Sequence, residues 1–112
     1  MQRSVVKFGT AAVGLLLATL VTVAAAAAQD AATIAKGKTL FMEHGCYGCH
    51  TVGKMGTPIG PDLSRVGAKY SRAYIERWLR DPAAQRPNAH MPALELSEDQ
   101  VKALAAFLTS LR

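Results

Sequence analysis

Five consecutive residues, Cys46-Tyr47-Gly48-Cys49-His50, bring two thiols and an imidazole into one short stretch of chain. Thiols three positions apart stand about one helical turn apart, on the same side of the backbone. From there both can add to the two vinyl groups along one edge of a porphyrin, each addition forming a thioether. A histidine directly after the second cysteine is carried under the ring, where its imidazole can bind iron as the proximal ligand. C-x-x-C-H is the pattern of covalent haem attachment. One haem c, bonded through Cys46 and Cys49 with His50 on the iron, is therefore the expected cofactor. Blander chemistries use the same atoms. A thioredoxin-like redox pair needs a surrounding βαβ pattern, which the flanking residues lack. A zinc site joining the pair to His50 and a distant His44 or His90 would ordinarily bring a second tight ligand pair, and the sequence has none. A plain disulfide needs only an oxidising compartment.

A second stretch could supply the other face of the iron. Asn88-Ala89-His90-Met91-Pro92 sets a thioether beside an imidazole, and either binds haem iron. Methionine opposite histidine raises the reduction potential, as in electron-carrying c-type haems. The two side chains diverge along an extended backbone, so one of them faces the iron; Pro92 biases Met91 towards that extended conformation. His44 lies too near the attachment point to reach the opposite face and reads as a surface or helix-end residue. Met42 and Met55 read as packing or loop residues.

Two further residues could touch the cofactor. Trp78 is the single tryptophan. A buried indole N–H needs an acceptor; a haem propionate is one candidate, and plain core packing is the other reading. In Gly60-Pro61-Asp62-Leu63, a backbone carbonyl placed beside His50 could accept the imidazole's remaining N–H, fixing its tautomer and ring plane.

Three helices must position these groups. The first is expected to start after Asp30, a good N-cap residue, and to reach about His44. Ile34, Gly37, Leu40 and Phe41 recur at helical spacing. A glycine inside a helix costs about 1 kcal/mol against alanine, so Gly37 predicts a close crossing with another helix, Phe41 beside it. Gly53 to Gly60, with Gly56 and Pro58, predicts a loop. The middle helix is expected over Ser71–Arg80, with Tyr74, Ile75, Trp78 and Leu79 on one stripe and Asp81-Pro82 as its stop. Ser97-Glu98-Asp99-Gln100 is a capping box. It opens a last helix whose stripe is Val101, Leu104, Phe107, Leu108 and Leu111. Leu104 and Phe107 are expected against Gly37 and Phe41. The fold class is all-α: about three main helices wrapped around one covalent haem, the first and last crossing.

The opening residues predict export. Arg3 and Lys7 make a basic start, Phe8 to Val23 is almost wholly apolar, and Ala26-x-Ala28 fits a cleavage site before Gln29. Residues 1–28 are therefore expected to be a signal peptide and residues 29–112 one domain in the periplasm. The alternative is an uncleaved anchor, since Phe8 to Ala28 is long enough to span a bilayer; only then would a membrane be a partner. Removing residues 1–28 leaves 84 residues, a size at which a protein-only core is marginal and a bound cofactor adds stability. The whole chain carries +5, and +3 without Arg3 and Lys7. That balance does not argue for nucleic acid. It suits a mildly basic surface meeting an acidic redox partner, or an ordinary solvated one.

The ordered motifs resemble class I cytochrome c over about residues 31–112. They are a Gly37-x-x-x-Phe41 helix, Cys-x-x-Cys-His, the Gly60-Pro61-Asp62-Leu63 turn, a Trp78 helix, Met91-Pro92, and a last helix with Leu104-x-x-Phe107. The resemblance implies that Met91 is the sixth ligand, that the Pro61 carbonyl supports His50, and that the end helices cross. The stretch from Arg77-Trp78-Leu79-Arg80-Asp81-Pro82 to Met91-Pro92 also resembles cytochrome domains fused to haem–copper oxidases. The expected function is single-electron transfer between redox proteins, among them a terminal oxidase or dehydrogenase, with no catalytic residues of its own. The alternative is a haem subunit of a larger oxidase or dehydrogenase, or a sensor or peroxidase with a labile distal ligand.

Overall fold

The computed structural model describes residues 10–112. Arg3, Lys7 and Phe8, which open the expected signal, lie outside the described residues. The chain divides into two compact units, one ending at Asp30 and one spanning Ala31–Arg112.

Helix α1 covers Thr10–Glu43. Sequence reasoning places a helix start after Asp30; instead the helical backbone runs through that residue. The cause is upstream. Ala24 to Ala28 are five residues of the strongest helix former, and neither glycine nor proline interrupts Leu15 to Lys36. A capping residue starts nothing where the chain before it is already helical. In the first unit the apolar side chains face outward, with Leu15 at 72% exposure. By length and composition this helix could cross a membrane, and a signal sequence near the N-terminus passes the same test.

In the second unit the end of α1 buries Gly37, Leu40 and Phe41. Gly37 is the contact point. A Cβ there would overlap the Ala103 carbonyl and stand 2.7 Å from the Phe107 Cβ. The Phe41 and Phe107 rings meet edge-on, centroids 5.6 Å apart. Helix α5, Glu98–Ser110, therefore crosses α1 where the sequence expects it. Its capping box forms as read: Gln100 N–H donates to Ser97 Oγ at 3.2 Å, and Ser97 N–H to Gln100 Oε1 at 2.9 Å.

Helix α3, Arg72–Arg80, is capped by Ser71 and buries Ile75 and Leu79. These join Phe41, Val66, Val101, Leu104 and Leu108 in one apolar cluster. Each large side chain fully buried in such a cluster is worth about 1.5–3 kcal/mol. Arg80 fastens the end of α3 to the start of α5 through both Glu98 oxygens, at 3.0 and 2.8 Å. This pair holds the Glu98 carboxyl below its ordinary range.

Four small elements escaped the sequence reading. Thr51–Val52 (β1) and Met55–Gly56 (β2) form an antiparallel hairpin inside the expected loop, turning at Gly53 with φ 60°. Val66–Lys69 is a single turn, α2, whose Gly67 N–H donates to the Leu111 carbonyl at 2.8 Å. Pro82–Gln85 is another, α4. Asp81-Pro82 stops α3 as expected but also starts α4: Asp81 accepts the Ala84 N–H at 3.0 Å, and Pro82 takes a first-turn position where no N–H is needed.

Candidate functional site

The last turn of α1 is closed by Gly45 in the left-handed region, φ 71°. The chain then coils tightly over Cys46–Gly48. The Cys46 carbonyl accepts from Cys49 N–H at 3.2 Å and from His50 N–H at 2.9 Å. One carbonyl thus gathers both thiol-bearing residues and the histidine into a single turn. Both cysteines are free thiols; Cys46 is half-buried and Cys49 exposed. Burial pushes the Cys46 thiol above its ordinary pKa.

The His50 ring is held from behind. Its Nδ1 lies 2.8 Å from the Pro61 carbonyl oxygen. A carbonyl only accepts, so Nδ1 carries the proton and donates, and in the neutral ring that leaves the Nε2 lone pair for a metal. Gly60 lets the backbone lie over the ring: a Cβ there would sit 2.8 Å from His50 Cε1. The Gly60 N–H also donates to the Cys49 carbonyl at 2.5 Å.

A knot of polar groups fixes Pro61, and sequence reasoning missed it. Asp62 Oδ1 accepts from the Thr51 hydroxyl at 2.9 Å, the Ser64 hydroxyl at 2.7 Å and the Ser64 N–H at 3.2 Å. Ser64 Oγ in turn accepts the Gly53 N–H at 2.7 Å. Asp62-Leu63-Ser64 carried the signal, because an aspartate readily bonds the backbone two residues on.

The Ser64 bonds, then Thr51, hold the Asp62 carboxyl below its ordinary pKa. A depressed folded pKa stabilises the fold above the unfolded value, about 4, and that contribution is lost as pH falls through the folded value. Asp62→Ala is therefore expected to lower the thermal midpoint at neutral pH. The gap to the wild type should close as pH falls below about 4. A gap that stays constant with pH would show that the carboxylate contributes nothing as a charge.

On the other side of the sequence, Met91 lies half-buried in the stretch after α4. The Trp78 indole N–H donates to Met91 Sδ at 3.2 Å. Of the two readings of Trp78, neither a propionate partner nor simple packing anticipated this acceptor.

A cavity of about 580 Å³ unites these groups. Cys46, Cys49, His50, Pro61, Trp78 and Met91, all the residues the sequence singles out for the cofactor, line it. Ile75, Leu79, Leu104 and Leu108 give it apolar walls. His90 also lines it, though exposed; His44, Met42 and Met55 are exposed and do not line it. Tyr70, Tyr74, Lys69 and Arg86 complete the wall without having been foreseen. Tyr70 and Tyr74 precede Trp78 by eight and four positions, so helical spacing carried that signal.

The volume lies in the range of small-molecule and cofactor sites, about 300–1,000 Å³. The donors are two free thiols in one turn, an imidazole nitrogen with its lone pair available, and a thioether. That set suits a covalent haem.

Fold and site together define a small haem-binding electron-transfer module. Residues 34–112 match the family model for cytochrome c, and the chain belongs to the cytochrome c family. Its cofactor is one covalent haem c, for which Cys46-x-x-Cys49-His50 is the attachment motif. The chain is similar to cytochrome c oxidase subunit 2 of Alkalihalophilus pseudofirmus, 36% identical over 69% of this chain and 25% of that protein. It is also similar to a nitric oxide reductase subunit of Stutzerimonas stutzeri, 28% identical over 67% of this chain and 56% of that one. The corresponding nitric oxide reductase subunit of Halomonas halodenitrificans is 26% identical over 68% of this chain and 57% of its own length. The chain thus spans a quarter of the oxidase subunit and just over half of each reductase subunit.

Proposed function

We propose that this chain is an exported single-haem electron carrier whose iron is ligated by His50 and Met91. The observation that carries the reading is the shared cavity, in which the bare Nε2 side of His50 and the thioether of Met91 belong to one wall set with both thiols. Haem supplies one-electron exchange at iron. Cys46 and Cys49 bind it to the chain, and Pro61 orients His50. Two protein ligands leave no open iron position, which suits a carrier rather than an enzyme. The periplasm is the proposed location, with residues 1–28 removed as a signal and residues 29–112 forming the mature domain. Donor and acceptor would be redox proteins meeting the surface around exposed Cys49, one of the two residues that would hold the haem.

A second reading is favoured by the relatives' names, which denote subunits of an oxidase and of nitric oxide reductases. Here the chain would be the haem-bearing piece of a larger oxidoreductase, held by its apolar N-terminal helix. Intact mass of the protein purified from the cell envelope tests both. The expected mass is residues 29–112 plus one haem. Retention of residues 1–28 with stable co-purification of a larger chain would favour the second reading. A mass without haem would overturn both.

A further inference from the structure

We propose that Asp62 tunes the redox balance of the site: its carboxylate, fixed beside the contact between His50 and Pro61, acts as a resident negative charge that favours oxidised iron and lowers the reduction potential. The inference rests on His50 being the proximal iron ligand.

The placement is specific. Asp62 directly follows Pro61, whose carbonyl oxygen lies 2.8 Å from His50 Nδ1. It also belongs to the wall of the cavity that His50 and both cysteines line. Three donors converge on one of its oxygens: Oδ1 accepts from the Thr51 hydroxyl, the Ser64 hydroxyl and the Ser64 N–H. Oδ2 takes part in none of the three. A free surface carboxylate samples many positions; this one is held at a single place. The Ser64 bonds, then Thr51, also hold the carboxyl below its ordinary pKa, so the charge is present at neutral pH.

The sign follows from charge counting. Ferric iron carries one more positive charge than ferrous iron, so a fixed anion nearby stabilises the ferric state. The bond from Nδ1–H to the Pro61 carbonyl acts in the same direction, because it makes the imidazole a stronger donor to the metal. Lys69 and Arg86, cations on the same wall, act in the opposite direction. Asp62 is exposed, so water and salt screen it. Its effect therefore belongs with surface charges, about two- to fivefold in an equilibrium constant.

Asp62→Asn separates charge from bonding. The amide oxygen can take the three donors of Oδ1, the amide nitrogen replaces Oδ2, and the charge is gone. The haem-loaded variant is expected to have a higher potential. At a fixed electrode potential and low salt, its ratio of ferrous to ferric protein should exceed that of the wild type about two- to fivefold. The difference should shrink towards none near 1 M salt, where the Debye length is about 3 Å. If Asp62→Asn fails to fold, Asp62→Ser removes the same charge while keeping a turn-forming hydroxyl, and the same rise is expected. An unchanged potential, or a shift that salt leaves untouched, would reduce Asp62 to a structural tie and overturn the proposal. Nitrogen-15 histidine spectra of the ferric wild type separate this from the parent reading. A hyperfine-shifted His50 Nδ1–H is expected. A signal at its ordinary position would mean that His50 is not on the iron, and the ligand assignment would fail before Asp62 is tested.

Discussion

Met91→Ala will keep its covalent haem but lose the sulfur–iron charge-transfer band, fall in potential and gain carbon monoxide binding in the reduced state. The thioether is the soft donor that lines the cavity besides the two cysteines, and on the proposed ligation its removal opens an iron position. The size of the gain follows from competition. A sixth ligand bound about 99% of the time would leave about 1% of molecules competent, and opening the site would then raise carbon monoxide affinity about 100-fold. His90→Ala will keep the band, although His90 lines the same cavity. Visible spectra and carbon monoxide titration of the two variants check this. A band that persists in Met91→Ala would mean that its sulfur comes from another residue, and a wild type without the band would move the ligand assignment to the neighbouring imidazole of His90. Strong carbon monoxide binding by the wild type would favour a sensor or peroxidase over a carrier.

Gly37→Val will be strongly destabilising although it lies away from the cofactor. The first atom of the new side chain already overlaps the Ala103 carbonyl, which is backbone and cannot rotate aside. Overpacking usually costs about 1–3 kcal/mol, occasionally more; here the upper end applies, because two helices must separate. At about 4–8 °C per kcal/mol for a domain of this size, the thermal midpoint should fall by about 12–24 °C. Ala35→Val, on the exposed side of the same helix, is the control and carries only the helix-propensity cost of a branched residue, below about 1 kcal/mol. Equal midpoints for the two variants would mean that the crossing can relax.

The crossing shows what made much of the fold legible. Gly37, Phe41, Leu104 and Phe107 announce it through helical period and one costly glycine, both local properties of the chain. Ser97-Glu98-Asp99-Gln100 was equally readable, since a capping box is satisfied within four residues. The attachment motif was readable because its chemistry fixes residue types at fixed spacing. The start of α1 was not, because Asp30 competes with an alanine run whose preference extends across it. The hairpin at Thr51–Gly56 and the single turns α2 and α4 are too short for any period to show. The bond from Trp78 to Met91 was invisible for another reason. The sequence shows that an indole needs an acceptor, but the choice among propionate, carbonyl and sulfur depends on how α4 folds the intervening chain back.

The rungs beneath His50 share one offset. His50 pairs with Pro61, Thr51 with Asp62 and Gly53 with Ser64, each eleven positions apart. Register is fixed by those rungs, whereas the hairpin tip beyond them only closes the loop. Closing a loop twice as long costs about 0.6 kcal/mol more, so a guest peptide grafted between Gly53 and Lys54 should be tolerated. Deleting one residue between Pro61 and Ser64 would instead shift the rungs against one another. The tip is thus a port for insertion, wired through the rungs to His50, the proposed iron ligand. A graft that tugs on them would change the colour of the protein.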